Sequence, residues 1–406
     1  MKASPYVARC VAQIVPVVLA FAASACVTSD PPPPLVQMTE QDLSTAGNAA
    51  SCASSNEEVH CHGRVIVDSN GCPHRNPGPA GFSPSQLRSA YKITGTGSSA
   101  TTIALVEAYG YATAEADLGH YRTQFGLPTC TTSNGCFRKV NQTGDAGPYP
   151  AENVGWAQET AVDLDMVSAI CRNCKILLVE ANSASFDDIT AAVGIAADLG
   201  AHVINNSYGG DEFGGYSYDD YYDYPNIAIV ASTGDVGFGQ GAQFPSSSEF
   251  VTAVGGTTLS TASNSRGWTE SAWINAVSGC SILSPKPAWQ HDTGCETRMV
   301  ADVAAVADPN TGVAVFAPAV DISGNELPAA WLVFGGTSVS SPIIAGVYGV
   351  NGGAVHGASD PYAHLGGLFD VTSGVNGFCD PGYFCTSGVG YDGPTGLGTP
   401  NGTSAF

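Results

Sequence analysis

Short apolar runs rich in β-branched residues recur along the middle of the chain: Thr102 to Tyr109, Lys175 to Asn182, His202 to Ser207, Asn226 to Ser232 and Phe250 to Val254. Nearly continuous apolar runs of this length predict strands buried on both faces, as in a parallel sheet. Between them, Glu159 to Ile170 and Ser185 to Leu199 carry apolar residues at three-to-four spacing, which predicts covering helices. The alternation predicts an α/β fold with a parallel sheet flanked by helices. Residues 27–80 are rich in Pro, Ser, Thr and Asn, show no sustained period, and read as a linker or short pro-segment, which puts the packed domain at 81–406. From about Asn351 onward Gly, Asp and Asn are frequent, and irregular loops are expected. There is no internal repeat.

The first 26 residues read as a secretory signal peptide: Lys2 and Arg9, an apolar run from Val11 to Ala20, then small residues up to Cys26. Gln13 and Pro16 interrupt the run, which is also too short to span a bilayer, and no later segment is long enough. Secretion is therefore expected, with a lipid anchor at Cys26 as the minor alternative. The net charge is −22, and without the leader it becomes 12 minus 36, or −24. A surface so acidic repels phosphate backbones and excludes nucleic acid as the expected partner. The cysteines suit an oxidising compartment, and local disulfides are expected for Cys130/Cys136, Cys171/Cys174, Cys280/Cys295 and Cys379/Cys385. Pairing among Cys52, Cys61 and Cys72 stays open.

Three segments carry candidate chemistry. Gly336-Thr337-Ser338 precedes a small, apolar, helix-compatible run with Pro342, so Ser338 stands where a helix begins and its own N–H is unspent. That suits a nucleophile, and it equally suits a capped helix start. Of the eight histidines none is persuasive as a base: His60, His62 and His74 lie in the linker, His120 on a polar helix, and the rest in loops, the tail or a strand start. Glu159 and Asp163, at i and i+4, share one helical face, and buried carboxylates so placed couple and hold a proton. The plain reading is an exposed acidic face, but Val162, Met166, Ala169 and Ile170 bury the surface beside it. Asp235 follows the strand that ends at Ser232, where parallel sheets place functional loops; it is also an ordinary turn residue.

Taken together and in this order, Glu159-x-x-x-Asp163, Thr233-Gly234-Asp235 and Gly336-Thr337-Ser338 with Pro342 resemble the sedolisin family of serine-carboxyl peptidases, enlarged relatives of subtilisin. The resemblance spans about Phe82 to Pro400. It implies a subtilisin-like sheet and a secreted, monomeric peptidase that cleaves peptides or proteins in acid. Ser338 would be the nucleophile, Glu159 the general base and then acid, Asp163 its support, and Asp235 the protonated oxyanion donor. It also implies one structural Ca2+ in the irregular C-terminal segment, held by the carboxylates of Asp370 and Asp392 and the carbonyls of Val371, Gly388 and Gly390. In places where some relatives extend the proton relay with Trp and Glu, this chain has Tyr208 and Glu107. The family's long pro-domain has no counterpart here, which argues against activation from a zymogen. Two other readings remain: a catalytically silent secreted or tethered binding protein, and an esterase with the same nucleophile.

Overall fold

The structure is a computed structural model that describes residues 47–52, 58–239, 241–321, 325–353 and 355–406. The leader expected at residues 1–26, with Cys26, lies outside the described residues. Among the described residues no helix is long and apolar enough to cross a membrane.

The central sheet grows from the runs noted above. Strands β4 (Thr102–Ala108), β6 (Lys175–Ala181), β7 (Val203–Asn206), β9 (Ala228–Ser232) and β11 (Thr252–Thr261) are joined by β5 (Phe137–Asn141) at one edge and β12 (Trp268–Ala272) at the other. The order is β12-β11-β9-β7-β4-β6-β5, all pairings parallel except β11 with β12, and β15 (Val303–Val306) adds a parallel pairing to β11.

Alternation along each strand divides the core into two layers. Ile103, Leu105, Ile176, Leu178, Val203 and Val230 pack beneath helices α3 (Val154–Ile170) and α5 (Thr337–Asn351). Ala104, Val106, Leu177, Val179, Ile204 and Ile229 face α4 (Phe186–Asp198) on the other side. α1 (Pro84–Ala90) and α2 (Ala114–Gln124) pack beside α3.

Helix α3 is set by its ends and its burial. The Asn153 carboxamide oxygen accepts from the N–H groups of Gly155 and Trp156, the Cys171–Cys174 disulfide follows its last turn, and every residue from Trp156 to Ile170 is buried. A helix buried all round lies in the middle of a core, and α3 packs against α5 through that core.

Within the stretch expected as a linker or short pro-segment, residues 47–80 carry strands: β1 (Gly47–Ala50) pairs with β3 (Arg64–Val67), and β3 pairs with β17 (Glu326–Gly335) of the hairpin β16–β17, where β16 is Val313–Val320. β2 (Val59–Cys61) pairs with β8 (Tyr208–Asp211). These strands are three or four residues long, too short to give a period, and pairing to distant strands rather than local pattern holds them. The Cys52–Cys61 disulfide closes the intervening stretch, and Cys72 is also disulfide-bonded. The tail is not wholly coreless. Leu368 and Phe369 pair with Thr399 and Pro400, and Phe406 is buried against the Tyr348 ring at 5.2 Å. The four expected local disulfides are all present.

Candidate active site

Helix α5 starts at a glycine turn. Gly336 has φ +92°, and a Cβ there would collide with the His62 carbonyl oxygen and meet Asp235 Oδ2, so the turn requires glycine twice over. Ser338 falls in the first turn of α5, where backbone N–H groups lack helical acceptors. Its N–H donates to the His62 carbonyl at 3.5 Å, and its hydroxyl donates to the Ser207 carbonyl at 3.0 Å.

Glu159 and Asp163 face this point from α3, both fully buried. Asp163 accepts from Asn205 Nδ2 at 2.5 Å and Ser207 Oγ at 2.7 Å, and Asn205 is fixed in turn by the Ser341 hydroxyl of α5 at 2.7 Å. One Glu159 oxygen accepts a long bond of 3.4 Å from Ser51, while Oε1 has no partner. Burial, then the charge of Asp163, push Glu159 well above the usual carboxylate range, and the neighbouring Ser338 hydroxyl pulls it down. Burial pushes Asp163 up to about 7 against the pull of Glu107, Ser207 and Asn205.

Glu107, at the end of β4, is fully buried and held well above its ordinary value by burial and by Asp163. Both of its oxygens are buried without a hydrogen-bond partner, and its neighbour Asp163 is the charge that most raises it after burial. Tyr208 is buried nearby, but its hydroxyl donates to Asn206 Oδ1 at 2.6 Å.

Asp235 approaches from the other side of Ser338. Its Oδ1 accepts from the Thr337 N–H at 2.8 Å and the Thr337 hydroxyl at 2.9 Å, whereas Oδ2 is buried without a partner. Burial pushes this carboxyl up to about 7, opposed by the Thr337 donors and the charge of Arg64. A carboxyl below its pKa carries a proton, so below about pH 7 Oδ2 can donate.

The four residues singled out in the sequence are thus brought together. Asn205, Ser207 and Ser341 hold the acid pair and Thr337 holds Asp235, roles the sequence does not assign; the polar run Asn205-Asn206-Ser207 ending an apolar strand is the available signal. His62, set aside as a linker residue, is fully buried at the site.

Residues 151–352 match the subtilase family. Kumamolisin of Bacillus sp. (strain MN-32) is 32% identical over 204 residues, which is 43% of this chain and 35% of that protein. Sedolisin of Pseudomonas sp. (strain 101) is 24% identical over 369 residues, 79% of this chain and 60% of that protein. In structure the chain is similar to Pseudomonas sedolisin, a serine-carboxyl proteinase complexed with two molecules of pseudo-iodotyrostatin, with TM-score 0.67 and 25% identity over 80% of this chain and 96% of that one. These likenesses support the sedolisin family, within the subtilisin-like clan. The mixed α/β architecture of this chain, with a central parallel sheet between helices, is the subtilisin-like fold of sedolisin. The chain spans between about a third and three-fifths of the length of the kumamolisin and sedolisin sequences it matches.

Proposed function

We propose that this sedolisin-family chain is a secreted peptidase that hydrolyses peptide bonds in acid through an acyl-enzyme on Ser338. The observation that carries the reading is a backbone donor and a buried carboxyl oxygen at one glycine turn. The Ser338 N–H donates to the His62 carbonyl, and the unpartnered Asp235 Oδ2 lies beside the same Gly336 turn. A protonated Oδ2 there would be the second donor of an oxyanion hole.

Ser338 Oγ attacks the carbonyl carbon and its proton passes to Glu159, whose free Oε1 lies beside it. Asp163 supports the new proton on Glu159, with Glu107 behind it. The developing oxyanion accepts from the Ser338 N–H and protonated Asp235. Glu159 then protonates the departing amine, and water releases the acyl group by the same steps in reverse.

The experiment is a peptide-library digest over a pH series, with ester substrates alongside to separate a peptidase from an esterase. Asp235→Ala removes the donor that acts only on developing charge, so kcat falls by roughly 10²–10³ with little change in KM. Asp235→Asn restores a donor that does not ionise, so it recovers part of the rate and carries the residual activity above pH 7. An equal loss in kcat and affinity for Asp235→Ala would count against the oxyanion role.

Calcium belongs to the same proposal. Asp392 is buried; burial pushes it up to about 6 against donors from Gly388, Thr395 and Ser387, and the Gly390 N–H draws the same loop onto Asp370 Oδ2 at 2.9 Å. Among the described residues neither carboxylate makes an ion pair. Two carboxylates without an ion-pair partner, on turns joined by the Gly390 N–H, fit a hard cation with all-oxygen ligands. Asp370, Asp392 and the carbonyls of Val371, Gly388 and Gly390 would hold it, and it would supply charge compensation and a cross-link. Chelation is expected to lower Tm by roughly 3 °C or more when calcium had been near saturating. An unchanged Tm would remove the ion from the tail.

A further inference from the structure

Where β4, β5 and β6 begin, the chain forms a cleft of about 410 Å³ whose walls carry Arg122, Arg172 and Lys175 with Ser98, Ser99 and Asn173, and no acid. Glu107 stands near the other end of β4, so a strand's length, roughly 20 Å, separates this cleft from the catalytic groups. The chain has 36 acidic residues against 14 basic ones, so a lining with cations and no carboxylate runs against its composition. Arg122 is fully buried, and its guanidinium donates to three neutral oxygens: the Pro128 carbonyl at 2.6 Å, Ser168 Oγ at 2.8 Å and the Arg172 carbonyl at 2.7 Å. The carboxyl that most offsets its charge, Asp165, is held well above the usual carboxylate range by burial and is neutral in acid. Arg172 Nε is buried without a hydrogen-bond partner, and among the described residues neither Arg172 nor Lys175 makes an ion pair. Arg88, which feels the charge of Arg172, spends its own guanidinium on the Ile170 and Gly95 carbonyls at 2.5 and 2.6 Å. It thereby covers the negative end of α3, which would otherwise oppose an anion.

The walls are braced. The Cys171–Cys174 disulfide brackets Arg172 and Asn173, and Asn173 holds the facing loop through its N–H to the Thr96 carbonyl at 2.9 Å and its amide to Thr96 Oγ1 at 3.0 Å. Gly97 has φ +73°, and a Cβ there would collide with Cys171 Sγ, so the loop lies directly on the disulfide. The Cys130–Cys136 disulfide closes the third wall, where Asn134 Nδ2 donates to the Thr129 carbonyl at 2.9 Å. The wall carbonyls of Pro128, Thr129 and Arg172 thus already accept from internal donors, whereas Ser98 Oγ accepts from the Ala100 N–H at 3.1 Å and keeps its hydrogen for a ligand.

We propose that this cleft binds a phosphate or sulfate ester of a hydroxyl-rich group such as a sugar, with Arg172 and Lys175 on the anion and Ser98, Ser99 and Asn173 on the hydroxyls. A guanidinium fork matches two oxygens of a tetrahedral anion, and Lys175 adds a point charge at the exposed side. The cleft's volume of about 410 Å³ falls in the range, roughly 300–1,000 Å³, that holds a small organic ligand, so a bare anion leaves most of it unfilled. Beyond the cations the lining offers hydroxyls and amides, which pair with sugar hydroxyls and give an apolar ligand little to hold. No bond is made or broken there, so the site stands apart from the peptidase reading, and neither depends on the other.

Titration calorimetry on the full chain at pH 5 reads the affinities for glucose 6-sulfate, glucose 6-phosphate, inorganic phosphate and glucose. At least one ester is expected to bind more tightly than inorganic phosphate, the tighter of the two names the anion, and glucose gives no heat. Arg172→Gln is expected to weaken ester binding by roughly 10- to 100-fold, because charge-assisted hydrogen bonds are lost. Lys175→Gln, at an exposed position, weakens it by several-fold, and Arg75→Gln, which removes an exposed charge outside the cleft, leaves it unchanged. Because Arg172 Nε holds no internal partner, the ligand-free Tm of Arg172→Gln should stay within roughly 2 °C of wild type; if that variant fails to fold, Lys175→Gln carries the test. No heat from either ester overturns the site. Ester affinity unchanged in both Arg172→Gln and Lys175→Gln overturns its placement in this cleft, and an equal loss in Arg75→Gln reduces it to an effect of net charge and overturns it too. Inorganic phosphate bound as tightly as both esters overturns the ester reading.

Discussion

Ser338→Ala is expected to reduce peptide hydrolysis at acid pH by roughly 10⁶-fold in kcat, the scale set when the nucleophile is deleted from a serine peptidase of this general design. The substitution removes one oxygen and leaves the backbone N–H that donates to the His62 carbonyl, so peptide affinity should change little. Helix α5 should also survive, because the hydroxyl's bond goes to the Ser207 carbonyl, which also accepts from the His62 N–H. The decisive measurement is single-turnover cleavage at pH 4 beside a binding isotherm for an uncleaved peptide. Cleavage unchanged by the substitution would remove Ser338 as nucleophile. Peptide binding with no cleavage by either protein would favour the silent binding protein.

The residues that carry this chemistry were legible because each sits on a strong local pattern. Glu159 and Asp163 lie one helical turn apart beside the apolar stripe Val162, Met166, Ala169 and Ile170, so their shared face follows from the sequence and their burial is suggested by it. Ser338 follows a glycine pair and precedes an apolar run, which marks a helix start. Asp235 follows a β-branched strand end. The strands β4, β6, β7 and β9 were legible because their apolar residues run consecutively, with Glu107, Glu180 and Asn205-Asn206 falling only toward the strand ends.

What was not legible depends on distant pairing. β2 has three residues, and its place is decided by β8, nearly 150 positions later. The hairpin β16–β17 and its contact with β3 likewise have no local signature that joins 64–67 to 326–335. His62 looked like a polar residue in a Ser- and Asn-rich stretch. Its burial comes from the Ser232 hydroxyl and the Gly209 backbone, both set by the sheet. The role of Glu107 shows the same limit: the resemblance marked the position, but only folding turns the last acidic residue of β4 toward Asp163.

Glu159→Gln is expected to be nearly as damaging as loss of the nucleophile, with kcat lower by at least about 10⁴, because the amide fills the same space but cannot take the Ser338 proton. Groups that act in one step do not lose energy additively, so Ser338→Ala combined with Glu159→Gln should be no slower than Ser338→Ala alone. The pH profile gives a second check. The wild-type rate should rise with pH as the buried Glu159/Asp163 pair gives up a proton and becomes a competent base. It should fall again as pH passes about 7, where Asp235 ionises and stops donating. In Glu159→Gln the residual rate should lose the rising limb, which belongs to the base, and keep the falling limb, which belongs to Asp235. A variant that retained both limbs at reduced height would show that the proton leaves Ser338 by another route, and the helical acid pair would then be support for the fold instead of the base.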